Sequence, residues 1–168
     1  GGLGAAALPY LAASGVGKLI IADHDTVEAT NLQRQISYRE QDIGSLKTDI
    51  LAMRHKITAT HPADNANVKY ARGGVVDVEF IVQYLILAHA RKYPQLLDNY
   101  GNIALLNIAA DCGLIDKTLA EQSRTAYRFY RQQQHNTKLR DAEKTEVTDE
   151  LLAHYGNVRK LWREVFGE

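Results

Sequence analysis

Apolar residues recur with the period of a helix over most of this chain, and with that of a buried strand only near its start. From Ser45 onward, Leu46, Ile50, Met53 and Ile57 fall at i, i+4, i+7 and i+11, on one face of a helix. Pro62 ends that helix and Pro62–Asn67 reads as a turn. Val68–Ala71 is predicted to be a short extended segment ahead of Gly73 and Gly74. Val76–Arg91 carries apolar residues on most sides, among them Val78, Phe80, Ile81, Val82 and Leu85, and is predicted to be a central, well-buried helix. A second helix is expected over Ile103–Cys112, stopped by Gly113. Asp116 caps a third that runs to about Gln134, with Leu119, Ala126, Phe129 and Tyr130 turned inward. His135–Val147 is polar and reads as a connection. Thr148 then caps a last helix bearing Leu151, Leu152, Tyr155, Val158, Leu161, Trp162 and Val165. Four helices with short links make a bundle.

The front of the chain is different. Gly1, Gly2 and Gly4 precede an alanine-rich stretch with Leu8, Leu11 and Ala12 at helical spacing, and Gly15 and Gly17 stop it. Lys18–Asp23 is a short apolar run with a polar end, the pattern of a buried strand. Loop, helix and strand in that order form part of a βαβ unit whose first strand is missing. The fold class expected is mainly α: a C-terminal helical bundle preceded by a small incomplete αβ (Rossmann-like) fragment.

Composition narrows the class without choosing a function. With 45% apolar and 24% charged residues in 168, the chain has enough apolar surface for a real core. Twenty basic residues balance twenty acidic ones, so net charge asks for neither nucleic acid nor an anionic membrane. The single cysteine, Cys112, excludes an internal disulfide and a multi-cysteine zinc site, and a reducing cytoplasmic location is expected. No apolar run approaches the roughly 18–20 residues of a membrane span. The first residues lack a basic leader, so no signal peptide is expected; the Gly-Gly start suggests a piece of a longer protein.

Candidate chemistry falls in two stretches. Glycines ahead of a helix allow backbone amides to approach a phosphate, though a tight turn explains them equally well. Asp23, at a strand end, suits ribose hydroxyls. Lys47 sits in a first helical turn, where the macrodipole disfavours a cation; a nearby anion or simple solvation accounts for it. In Lys69–Ala90 (KYARGGVVDVEFIVQYLILAHA), Gly73 and Gly74 permit an unusual backbone turn, and Asp77 and Glu79 follow in the first helical turn. Residues i and i+2 point about 200° apart on a helix, so the two carboxylates do not face one site. Asp77 as a cap and Glu79 as partner of Arg72 or another base is the plainer reading; a metal or nucleotide role is the alternative.

Residues 1–49, with the element D-x-D-x-V-x-x-x-N-L-x-R-Q from Asp23 to Gln35, resemble the start of the E1-like activating enzymes of molybdopterin and thiamine biosynthesis. The resemblance implies ATP binding through Gly2, Gly4, Asp23, Asn31, Arg34 and Lys47. Missing are the first strand, the later magnesium-binding aspartate and the cysteine regions, and Arg34 acts across a dimer in such enzymes. No competent adenylating enzyme is therefore expected.

Residues 50–168, through MRHKITATHP, the R-G-G-x-x-D-x-E-F-x-x-Q element of Arg72–Gln83, NIALLNIAADCGLI and VRKLWREVF, resemble the C-terminal helical region of the glutamine synthetase adenylyltransferase family. The resemblance implies an accessory and regulatory role in AMP transfer to and from glutamine synthetase, with ATP and magnesium as cofactors. It places Arg72, Gly73, Gly74, Asp77 and Glu79 at the margin of a nucleotide site. The partners implied are glutamine synthetase, a PII protein or the catalytic domain. The family's Gly-Ser…Asp-x-Asp core is not in this sequence, so no catalytic residue is assigned and independent catalysis is not expected. An incomplete E1-like module is one alternative, and a fusion or assembly product with no selected function is another.

The six histidines form no metal-ligand spacing and are read as surface or capping residues. Cys112 is expected in the core. Tyr127, Tyr130 and Trp162, interleaved with Arg124, Arg128, Arg131, Arg159 and Arg163, are read as core residues beside solvated charge rather than a nucleic-acid surface.

Overall fold

The computed structural model describes residues 43–61, 64–98, 101–141 and 144–168. The αβ fragment expected at the front, with Gly2, Gly4, Asp23, Asn31 and Arg34, lies outside the described residues. Among those described there are five α-helices and one 3-10 turn, and no strand. They are α1 (Ile43–Thr60), α2 (Val75–His89), the 3-10 turn Pro94–Leu97, α3 (Asn102–Asp111), α4 (Lys117–Leu139) and α5 (Asp149–Phe166).

Helix α2 is the hub. Its sequence is apolar nearly all round, and it packs against every other helix and the 3-10 turn. Val78 and Ile81 have no exposed surface, and Val75, Phe80, Val82 and Leu85 have almost none. The long helices α4 and α5 pair along their lengths and form the widest interface. Across it lie Ala126 and Tyr130 from α4 and Tyr155, Val158 and Trp162 from α5, all buried. On α1, Leu46 and Ile50 are fully buried and Met53 and Ile57 half-buried, as the stripe predicts.

The helix starts follow from side-chain chemistry. The Asp116 carboxylate accepts from the Leu119 amide at 2.9 Å, and the Thr148 hydroxyl accepts from the Leu151 amide at 3.2 Å. Each cap satisfies one amide left orphaned at a helix start, worth about 1 kcal/mol.

Three expectations need correction. Val68–Ala71 is not extended. It forms successive turns that fold back on α2, with the Val75 amide donating to the Val68 carbonyl and the Val76 amide to that of Lys69. Helix α4 runs on to Leu139, past Gln134, although its last turns are polar. There the Thr137 hydroxyl bonds the Gln133 carbonyl and meets the Thr145 hydroxyl at 3.3 Å, while the Thr145 amide bonds Ala66. Tertiary contacts carry a stretch that its own periodicity does not. Cys112 is not a core residue; it is half-buried, and Gln95 donates to its Sγ at 3.1 Å.

Candidate functional site

The glycine-rich element between α1 and α2 is organised around an ion pair that the hydrophobic pattern conceals. Arg54 is 1% exposed and Asp77 is not exposed at all. Arg54 Nε donates to Asp77 Oδ1. The same guanidinium reaches Thr58 Oγ1 at 2.9 Å, the Tyr70 carbonyl at 2.9 Å and the Ala71 carbonyl at 3.3 Å. Asp77 Oδ2 accepts from the Gly73 amide at 2.5 Å, the reach-back of a carboxylate capping its own helix. Arg72 contributes a third, looser charge, 3.8 Å from Asp77 Oδ1, while its guanidinium lies 4.9 Å above the Trp162 ring. Buried charges persist where their hydrogen-bonding capacity is met, and here it is met on both sides.

The two glycines are demanded by close approach. Gly73 has φ +85°, and a Cβ there would stand 2.3 Å from the Tyr155 carbonyl oxygen of α5. A Cβ on Gly74 would stand 2.4 Å from the Val68 carbonyl oxygen. The Gly73 carbonyl in turn accepts from the Tyr130 hydroxyl at 2.9 Å. The glycine pair thus brings backbone against backbone where α1, α2, α4 and α5 converge.

Burial pushes the Tyr130 hydroxyl well above the usual phenol range, with the charge of Asp77 among the lesser causes. Tyr155, which donates to the Asn65 carbonyl at 2.9 Å, is pushed up to about 12, chiefly by burial and then by Asp64. A raised folded-state value means stability is intact below the unfolded phenol pKa of about 10. It is lost as pH rises from there through the folded value, because only the unfolded chain ionises. Denaturation midpoints followed by circular dichroism should therefore hold to about pH 9 and fall steeply between about pH 10 and 12.

Glu79 points elsewhere. It accepts from the Tyr127 hydroxyl at 3.3 Å, and Asn102 donates to the same hydroxyl at 2.9 Å. It does not pair with Arg72, as the plainer sequence reading has it. Instead it lies where two open polar clefts meet, one of about 920 Å³ toward α3 and one of about 480 Å³ toward the Ala66–Lys69 turn. Arg131 also lines both, and Arg124 lines the larger.

Of the residues predicted to border a nucleotide site, the structure gathers Arg72, Gly73, Gly74 and Asp77 into one joint and sends Glu79 to the clefts. Asp77, as it stands, is not free to ligate a metal. Both Asp77 oxygens are engaged inside the protein, and among the described residues no three His, Cys, Asp or Glu side chains converge as metal ligands. Lys47 lies beside the end of the last helix. Its Nζ lies 3.8 Å from where a Cβ on Gly167 would stand, at the C-terminal end of α5, where a cation is favoured. Arg54 is the residue sequence reasoning missed. Its signal was a charge following Leu46 and Ile50 at four-residue spacing, on the apolar face of α1, matched by an acid within the apolar α2.

Two family models match. One, described as the ThiF family, covers residues 1–74; the other, described as GlnD PII-uridylyltransferase, covers residues 45–163. They overlap from residue 45 to residue 74, a span that includes most of α1 and the glycine pair. Among individual proteins, the chain is 79% identical over 137 residues to the bifunctional glutamine synthetase adenylyltransferase/adenylyl-removing enzyme of Neisseria meningitidis serogroup A, covering 82% of this chain and 15% of that protein. It is 52% identical over 127 residues to the protein of the same description from Chromobacterium violaceum, covering 76% and 14%. It is 34% identical over 168 residues to that from Nitrosomonas europaea, covering 89% and 18%. The Neisseria match is longer than Ile50–Glu168, so it begins ahead of Ile50. The chain thus spans about 15% of the length of these curated relatives.

Proposed function

Because the chain belongs to the GlnD PII-uridylyltransferase family, we propose that residues 50–168 are the helical accessory segment of a glutamine synthetase adenylyltransferase. In this reading the segment takes part in AMP transfer to and from glutamine synthetase without carrying the chemistry itself. Its partners are glutamine synthetase, a PII protein and the catalytic nucleotidyltransferase domain. ATP and magnesium are handled by that domain, and the reaction runs in the cytoplasm. Among the described residues no helix is long and apolar enough to cross a membrane. The observation that carries the reading is the high identity to the Neisseria enzyme over most of this chain, together with an R-G-G-x-x-D element whose charges are consumed in the fold. Arg72, Gly73, Gly74 and Asp77 then act by fixing how α1 joins the bundle, and Glu79 is the member of the element left facing a cleft.

Immobilised 168-residue chain, offered separately purified adenylyltransferase catalytic domain and glutamine synthetase, is expected to retain at least one of them. Retention of neither would remove the accessory reading. The ThiF match over residues 1–74 favours a second reading, an incomplete E1-like adenylation module joined to the bundle, with ATP contacts from Gly2, Gly4, Asp23, Asn31, Arg34 and Lys47. Calorimetric titration with ATP discriminates it: that reading requires binding heat that Lys47→Ala abolishes, whereas the accessory reading expects none.

A further inference from the structure

Helix α4 carries a charge pattern that the bundle uses only at Arg124, whose Nη1 donates to Asn107 Oδ1 of α3 at 3.1 Å. Arg124, Arg128, Arg131, His135 and Lys138 recur at i, i+4, i+7, i+11 and i+14. At 3.6 residues per turn they occupy one flank about 80° wide and about 21 Å long. Arg128, Arg131, His135 and Lys138 are exposed and Arg124 is half-buried. Glu121, bonded to Arg124 at 2.5 Å, is the one acidic side chain that forms an ion pair with this flank among the described residues. Arg131 bonds only the neutral Gln134, and Arg124 Nε is buried without a hydrogen-bond partner. A chain of zero net charge has thus collected an excess of positive charge along one edge.

That edge is also concave. The two clefts lie beside it, with Arg124 and Arg131 on the wall of the larger and Arg131 and Lys138 on the wall of the smaller. Lys69 adds a further cation to the smaller cleft. Among the described residues Glu79 is the one carboxylate lining either cleft, and it is tied to Tyr127.

We propose that the basic flank of α4 and its two clefts form a docking groove for an extended acidic segment of a partner protein. Charge complementarity is the argument: arginines in an open groove present forked donors to carboxylates, and such pairs steer association and set register. Single-stranded nucleic acid would also meet a positive groove, but it gains affinity by stacking bases on exposed aromatic rings. Of the tyrosines interleaved with these arginines, Tyr130 is buried, and Tyr127, which lines the larger cleft, offers only 9% of its surface and has its hydroxyl tied to Glu79 and Asn102. Glu79 marks the junction of the clefts as the place where the segment carries a residue other than an acid. The inference concerns the α4 flank alone and does not depend on the role proposed above for the segment as a whole.

The test is fluorescence anisotropy on the 168-residue chain with a labelled oligoglutamate peptide about twelve residues long, which extended spans about 40 Å. Measured at about 50 mM salt, where exposed charges are weakly screened, binding is expected to weaken about tenfold or more in Arg124→Gln/Arg128→Gln/Arg131→Gln. The matched variant Arg159→Gln/Lys160→Gln/Arg163→Gln, which removes three exposed cations from α5, should bind as the parent does. Arg128→Glu/Lys138→Glu provides a second α4 variant, since neither side chain holds another described element in place, and it should weaken binding likewise. No binding by the parent, equal loss in the α4 and α5 variants, or tighter α4-dependent binding of a single-stranded DNA of matched charge would each overturn the proposal.

Discussion

Asp77→Ala should lower the stability of the bundle by roughly 3–5 kcal/mol, enough to leave a domain of this size marginal or unfolded. The loss does not come from the missing attraction alone. Removing the carboxylate strands Arg54 at 1% exposure with its Nε donor unsatisfied, and frees the Gly73 amide, also buried, from its acceptor. Urea denaturation followed by circular dichroism measures the effect. An apolar replacement of both partners, Arg54→Met with Asp77→Leu, should recover a substantial part of the loss, because buried pairs exchanged whole for packed apolar side chains are often tolerated. A midpoint for Asp77→Ala within error of the parent would mean that the joint does not depend on the pair.

Gly73→Ala should be nearly as damaging, by roughly 3 kcal/mol or more. At φ +85° a side chain costs about 1–2 kcal/mol in backbone strain alone. The added methyl would also stand 2.3 Å from a backbone oxygen of α5, so a helix, and not a flexible side-chain tip, must move; overpacking of that kind costs about 1–3 kcal/mol more. Gly156→Ala is the internal control. That glycine lies inside α5 with nothing within 4 Å of an added Cβ, and its replacement should stabilise the helix by up to about 1 kcal/mol. If both substitutions shift the urea midpoint in the same direction, the close approach of Gly73 to Tyr155 is not what holds that turn.

The sequence announces what depends on neighbours along the chain and conceals what depends on neighbours across it. Asp116 and Thr148 each cap an amide three residues on, and Gly113 follows the Cys112 cap of α3, so local chemistry marked those helix ends. The apolar surround of α2 likewise announced the hub. Arg54 and Asp77 stand 23 residues apart; the sequence marks Asp77 as a cap for its own helix but gives no sign of its buried partner, and the fold makes them one unit. Val68–Ala71 has the residues of an extended segment, yet its carbonyls are claimed by Arg54 and by the first amides of α2. The last turns of α4 have no apolar period; Thr137 there meets Thr145, which is itself tied to Ala66, and these polar contacts hold the stretch. The five-residue site predicted from R-G-G-x-x-D-x-E separates for the same reason, since residues adjacent in sequence serve opposite sides of one turn.

Lys47 near the beginning of α1 and Gly167 just beyond α5 stand side by side. The described chain therefore comes into the bundle and goes out of it at a single pole.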